Sequence, residues 1–289
     1  MIVPSIREIT ASDGYRLKFR HWAAVNPQGI VIALHGIQSH SGWYEYSSNR
    51  MADAGFSVYF ADRRGAGLNG AQRGHAAHGM RLIHDVRSLI QTAISECSTE
   101  QIARPEVTLL GISWGGKIAT GLAALFPNEI DQLVLMYPGL IPRFQMTRWQ
   151  QFRLNLARSF EVVKKHIPIP LDDPGLFTRS SEWQKFISSD PLALHTVTSS
   201  FLNSGRDLDS IFNTHAANVT QPTLLMLAED DQIIDNAAVR QRLLTAGSLQ
   251  TSTVIYPQCR HSLEFEPHRD AIFSDLVTWL QSHPCRRFR

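Results

Sequence analysis

Cysteine is scarce in this 289-residue chain, which carries three: Cys97, Cys259 and Cys285. An odd number at such wide spacing builds no disulfide framework, and no Cys-x-x-Cys pair is present to hold zinc or run thiol exchange. Charge of one sign is equally short, since 28 Lys and Arg against 26 Asp and Glu leave a formal +2. No global basic field therefore argues for nucleic acid as a partner. No run reaches the roughly 18 apolar residues that a membrane-spanning helix needs. The opening Met-Ile-Val-Pro-Ser-Ile-Arg-Glu segment has neither an apolar h-region nor a small-residue cleavage site. A secretory leader is thus not expected, and a reducing, cytoplasmic compartment is. Internal repeats and low-complexity stretches are absent too. What is there is 43% hydrophobic and 19% charged residues, ample for a large buried core and wrong for a disordered, collagen-like or coiled-coil chain.

Two alternating runs, Ile6–Thr10 and Tyr15–Trp22, flank the turn pair Asp13-Gly14 and predict a hairpin. Gly29–Leu34 is apolar at nearly every position, and similar runs recur at Phe56–Ala61, Val107–Leu110, Leu133–Met136, Thr223–Leu227 and Ser252–Tyr256. Strands of that kind are buried on both faces, as in a parallel sheet with helices on either side. Helical patterns at Trp43–Ala54, Arg81–Cys97, Lys117–Phe126, Ala237–Leu244 and Asp270–Gln281 fill most of the gaps. The expected architecture is doubly wound α/β. One interval breaks the rhythm: between Pro138 and Gln221 there is no apolar strand, only helical patterns punctuated by Pro and Gly. It is far longer than an ordinary connection of a few residues. We read 139–215 as an inserted helical cap over the strand ends, dividing an α/β core into 1–138 and 216–289.

The chemistry points to Val107-Thr-Leu-Leu-Gly111-Ile-Ser113-Trp-Gly115-Gly116-Lys117, an apolar strand, a Gly-x-Ser-x-Gly turn and the start of a helical pattern. A nucleophile on a sharp strand-to-helix turn forces strained backbone angles and close packing, which Gly111 and Gly115 leave room for. The Ser113 hydroxyl is then exposed near a helix amino terminus, where backbone N–H groups can hold an oxyanion. The same residues nearly spell a phosphate loop, with Gly111 and Gly116-Lys117 at the required spacing. That loop needs Ser or Thr next to bind magnesium, and Ile118 cannot ligate a cation.

A serine hydroxyl alone is too weak a nucleophile and needs a base and an orienting carboxylate. Hydrolases built on such a turn carry them in the chain order Ser, acid, His, each just past a strand. Thr223-Leu-Leu-Met-Leu-Ala228-Glu-Asp230-Asp231-Gln-Ile-Ile-Asp235 supplies the acid, and Thr253-Val-Ile-Tyr256-Pro-Gln-Cys-Arg-His261 supplies the histidine. The order Ser113, Asp231, His261 is fulfilled, with Asp230 and Asp235 as further candidate acids. A second oxyanion donor is expected after Leu34-His35-Gly36, where Ile37 would present its N–H beside that of Trp114.

Four segments carry a family resemblance. They are His35-Gly36-Ile37-Gln38-Ser39-His40-Ser41-Gly42-Trp43-Tyr44, the turn Asp62-Arg63-Arg64-Gly65-Ala66-Gly67, the elbow Gly111–Gly115, and the acid loop Asp231-Gln-Ile-Ile-Asp235. In these the chain, from about Thr10 to Leu280, resembles the α/β-hydrolase superfamily and within it the monoacylglycerol lipase and lysophospholipase group. The resemblance implies Ser113 as nucleophile, His261 as base, Asp231 as its orienter and Ile37 and Trp114 as oxyanion donors. His35, Gly36, Met146 and Trp149 are expected beside the substrate, and no metal or organic cofactor is implied. Three positions depart from the group: Ala66 and Asn69 replace a frequent His and Ser, and Ala228 replaces a frequent Gly. None is in the triad, so they bear on the substrate subgroup.

The implied reaction is carboxylic ester hydrolysis through an acyl-enzyme, on monoacylglycerol- or lysophospholipid-like substrates with an apolar acyl chain. Thioester, amide or perhydrolysis chemistry on the same residues is the nearest alternative, and a silent small-ligand-binding protein is a further one. In the cap, Met146, Trp149, Phe152, Leu156, Phe160 and Val163 recur on one helical face. Arg143, Arg148, Arg153, Arg158, Lys164 and Lys165 oppose the single acid Glu161. Such a helix either packs its apolar face on the core or lies on an anionic membrane surface and admits lipid. The sequence leaves oligomeric state open.

Overall fold

The computed structural model describes residues 2–98, 104–143, 166–245 and 251–283. Around Asp13-Gly14 the chain forms a hairpin of β1 (Ser5–Thr10) and β2 (Arg16–Trp22), with Ser5 opposite His21. There follow β3 (Gly29–Leu34), α1 (Glu45–Asp53), β4 (Phe56–Ala61), α2 (Gly79–Cys97), β5 (Val107–Ile112), α3 (Gly115–Leu125) and β6 (Gln132–Met136). After the long interval come β9 (Thr223–Ala228), α6 (Asn236–Leu244), β10 (Thr251–Tyr256) and α7 (Arg269–Ser282). These strands make one eight-stranded sheet in the order β1-β2-β4-β3-β5-β6-β9-β10. β2 runs antiparallel to β4, and every pairing from β4 to β10 is parallel.

The apolar runs account for the layering. Every residue of β3, β4, β5, β6 and β9 is buried, so both faces of the sheet centre are covered. Helices α1 and α7 pack on each other, and α2 and α3 form a second packed group. β10 departs from the expected pattern. It has a partner on one side only, and Ile255 is 42% exposed. An edge strand keeps one side open to solvent, which its Thr-Ser-Thr start tolerates.

The described part of the interval is not helical throughout. Between Pro138 and Gln221 lie β7 (His166–Pro168) and β8 (Thr196–Thr198), paired antiparallel as a two-stranded sheet. Three-residue strands are too short to show alternation, and one of these ends in a proline. Helix α4 (Ser181–Ser189) lies between them, and α5 (Ser199–His215) follows. α5 packs against α2 and α3, burying Leu208 and Phe212. Asp209 on α5 accepts from Lys117 Nζ at 2.6 Å, which ties α5 to the start of α3. The amphipathic stretch Met146–Val163, including Met146 and Trp149, lies outside the described residues. Among the described residues no helix is long and apolar enough to cross a membrane.

Candidate active site

β5 ends at Ile112 and α3 begins at Gly115, so the chain reverses within two residues. Ser113 takes φ +48°, a left-handed conformation that costs a side-chain-bearing residue roughly 1–3 kcal/mol. The surroundings hold it there. Its N–H donates to Met136 O at 3.0 Å, and its carbonyl accepts from Gly116 at 2.9 Å and Gly139 at 2.6 Å. A Cβ at Gly111 would lie 2.7 Å from Ala119 Cβ, and one at Gly115 would lie 2.8 Å from His35 O. The turn therefore closes this tightly only with glycine on both sides of Ser113.

β9 and β10 bring two more groups to the same place. His261 Nε2 lies 2.9 Å from Ser113 Oγ, and His261 Nδ1 lies 2.7 Å from Asp231 Oδ2. A carboxylate only accepts, so Nδ1 carries the proton and Nε2 is left to accept from the serine hydroxyl. The other carboxylate oxygen, Asp231 Oδ1, accepts from the N–H groups of Ile233 at 2.8 Å and Ile234 at 3.0 Å. Burial pushes this carboxyl up. The His261 ring and the two amides outweigh burial and hold it below the ordinary carboxylate range. Asp231 and His261 are both about 2% exposed. Asp230 instead pairs with Arg179, and Asp235 caps α6 by accepting from Ala238 N–H. Of the three candidate acids, Asp231 is the one hydrogen-bonded to His261.

Two aromatic side chains frame that imidazole, and sequence reasoning did not find them. Tyr137 lies edge-on with ring centres 4.7 Å apart, and Phe177 from the 139–215 interval lies edge-on at 5.9 Å. Tyr137 has φ +37° at the end of β6. No residue type in the sequence signals such a kink there.

The turn after β3 comes up beside Ser113. A Cβ at Gly36 would lie 3.3 Å from Ser113 Cβ, so any side chain there would crowd the hydroxyl. Gly36 N–H donates to Ser39 Oγ at 3.0 Å, and Ser39 Oγ is 3.0 Å from Tyr44 Oη. Among the described residues, no hydrogen bond uses the N–H of Ile37 or of Trp114. His35 sits differently from its predicted place beside substrate. It is 2% exposed, its Nε2 accepts from Arg63 N–H at 2.9 Å, and its Nδ1 then donates to Gly36 O at 2.8 Å. Burial, then the Arg63 cation, holds its pKa well below the usual histidine value. A neutral ring engaged on both sides holds a turn.

The interval reaches the same turn from outside. Gly42 N–H donates to His40 Nδ1 at 3.0 Å, so His40 Nε2 donates to Asp190 Oδ2 at 2.9 Å. Trp43 Nε1 donates to the same oxygen at 2.6 Å, and Leu194 N–H donates to Gln38 O at 2.9 Å. Burial alone would raise Asp190, but His40, Trp43 and the Leu192 amide bring it down to about 2. Asn69, one of the departures from the family pattern, has a local job. Its amide donates to Asp62 O at 2.6 Å and its Oδ1 accepts from Lys18 N–H at 3.0 Å, joining the Asp62 turn to β2.

A hydroxyl, an imidazole and a carboxylate so joined can move a proton off Ser113 as it attacks a carbonyl carbon, then deliver it to a leaving group. Comparison with known proteins points the same way. A profile of the family described as serine aminopeptidase, S33, matches residues 25–268. A monoacylglycerol lipase of Mycolicibacterium smegmatis is 25% identical over 276 residues, covering 93% of this chain and 94% of the relative. The crystal structure of a Paleococcus ferrophilus monoacylglycerol lipase superposes with a TM-score of 0.81 at 22% identity, covering 93% of this chain and 99% of that one. A soluble variant of Saccharomyces cerevisiae monoglyceride lipase, in complex with a substrate analogue, gives 0.83 at 20% identity over 98% and 96%.

Proposed function

The chain belongs to the serine aminopeptidase S33 family, and from that premise we propose that it is a serine ester hydrolase acting on monoacylglycerol- or lysophospholipid-like esters. The observation that carries the reading is the unbroken path Ser113 Oγ, His261 Nε2, His261 Nδ1, Asp231 Oδ2 at a strained strand-to-helix turn. The relatives named as monoacylglycerol and monoglyceride lipases support that substrate class.

In this reading Ser113 Oγ attacks the ester carbonyl while its proton passes to His261. The resulting oxyanion accepts from the N–H groups of Ile37 and Trp114. The tetrahedral adduct collapses, and the departing alcohol takes the proton from His261. Water then loses a proton to His261 and attacks the acyl-enzyme, the carboxylic acid leaves, and Ser113 recovers its proton. Asp231 fixes the imidazole tautomer and stabilises the imidazolium. Gly36 leaves space at the reacting carbonyl, His35 holds the turn, and Met146 and Trp149 contact the acyl chain. The cap is the interval 139–215, whose last helix α5 packs on α2 and α3 of the core. Free thiols at Cys97 and Cys259 support a reducing, cytoplasmic setting.

Hydrolysis of monoacylglycerols of graded chain length tests this against lysophosphatidylcholine, an acyl thioester and an aminoacyl p-nitroanilide. The account expects the highest kcat/KM on a monoacylglycerol or lysophospholipid, and Ser113→Ala to lower kcat by roughly 10⁴-fold or more. A preference for the anilide would replace the esterase reading by the peptidase reading that the family description also carries.

A further inference from the structure

Two consecutive arginines follow β4, and their environments are opposite. Arg64 is an ion-paired arginine: its Nε lies 2.6 Å from Asp85 Oδ2 and its Nη1 lies 3.0 Å from Asp13 Oδ2. Arg63 is 7% exposed, and among the described residues no carboxylate is hydrogen-bonded to it. Its two terminal nitrogens donate to backbone instead, and its Nε has no hydrogen-bond partner among the described residues. Nη1 donates to Gly36 O and Nη2 to Ile37 O, each at 3.0 Å. The same planar group lies over the Trp114 indole, 5.0 Å from the ring centre, and over Phe201 at 4.8 Å. Phe201 is itself stacked on Trp114 at 4.5 Å.

Those contacts converge on Ile37 and Trp114, the two residues proposed above as oxyanion donors. The Gly36 carbonyl and the Ile37 N–H belong to one planar trans peptide and point in opposite directions. Two donors on that carbonyl, Arg63 Nη1 and His35 Nδ1, therefore fix the direction of the Ile37 N–H. They also polarise the peptide, which makes the N–H a stronger donor. The stack on the indole anchors the residue that carries the other N–H. Burying a cation whose nearest carboxylate, Asp62, acts on it only through space is costly, and an apolar side chain of similar volume fills a packing role better. Burial pushes the Arg63 guanidinium down to about 9, which leaves it charged at neutral pH.

We propose that Arg63 is the positioning residue of the oxyanion hole: one buried guanidinium ties the Gly36–Ile37 peptide to Trp114 and holds both donors in register for the tetrahedral oxyanion. It touches no substrate atom. The proposal rests on the ester-hydrolase reading above, with Ile37 and Trp114 as donors.

The test uses the full chain and the variants Arg63→Met, Arg63→Gln and Arg63→Lys. Three quantities are read: end-point titration of Ser113 with a fluorophosphonate, kcat and KM per titrated site on a soluble p-nitrophenyl ester, and Ki for an aryl trifluoromethyl ketone. The ketone adds to Ser113 as a tetrahedral hemiketal oxyanion, so its affinity reports the oxyanion hole. Arg63→Met and Arg63→Gln are expected to lower kcat per titrated site by about 10²-fold with KM within about threefold. Ki should rise by the same factor, with Arg63→Lys between them and the wild type. A residue that only keeps the protein folded would reduce the titrated fraction and leave kcat per site and Ki unchanged. That result, in whichever of the three variants is soluble, overturns the proposal. Wild-type protein that fails to label at Ser113 would instead remove the hydrolase reading and the clamp with it.

Discussion

Glu264, three residues past His261, is buried, and its Oε1 accepts from Ser47 N–H at 3.0 Å. Burial raises its pKa from 4.5 to about 7. The unfolded chain therefore sheds this proton near pH 4.5 and the folded protein near 7, so stability falls between those values and stays lower above them. Glu264→Gln removes the titration at nearly constant volume. Urea unfolding at pH 5 and pH 8 should show the variant gaining on the wild type by on the order of 2–3 kcal/mol at the higher pH. A gap that does not change with pH would contradict the argument. Single residues differ in how far the sequence reveals them. Ser113, Asp231 and His261 were legible because chain order and strand ends constrain them together. Arg63, Tyr137 and Asp190 were not, since each acts through a contact with a residue distant in sequence, and no spacing encodes a guanidinium resting on an indole.

Among the elements, the turn between β3 and α1 is held by a distant one, α4. Asp190 at the end of α4 accepts from both His40 and Trp43, and the His40 and Asp190 side chains are 5% and 6% exposed. Asp190→Ala leaves two buried donors without an acceptor, which should cost about 3 kcal/mol in urea unfolding and lower kcat through the loosened turn. Asp190→Asn keeps an acceptor oxygen and should lose less than half as much. Equal stability of the alanine variant and the wild type would show that α4 does not hold the turn. The strands at the sheet centre were readable from apolar runs, because strands buried on both faces are apolar at most positions. β7 and β8 were not, since three residues each are too few to show a pattern. β10 was misread as buried because its position at the edge is a property of the whole sheet.

At the scale of the molecule, the parallel order carries Ser113 after β5, Asp231 after β9 and His261 after β10 to the carboxyl ends of the strands, while the interval between β6 and β9 contributes Phe177 against His261 and Asp190 against His40. The basic amphipathic stretch predicted in that interval makes a separate demand. Neutralising Arg148, Arg153 and Arg158 together should weaken hydrolysis of monoacylglycerol in anionic vesicles and leave a soluble short-chain ester unaffected. Equal loss on both, or on neither, would remove the membrane-surface contact. The most direct test of the central claim is mass spectrometry of the protein after a fluorophosphonate probe. The account predicts one phosphonyl adduct, on Ser113, absent in Ser113→Ala and formed at least about 10²-fold more slowly in His261→Ala. No adduct, or an adduct that persists in Ser113→Ala, would contradict it.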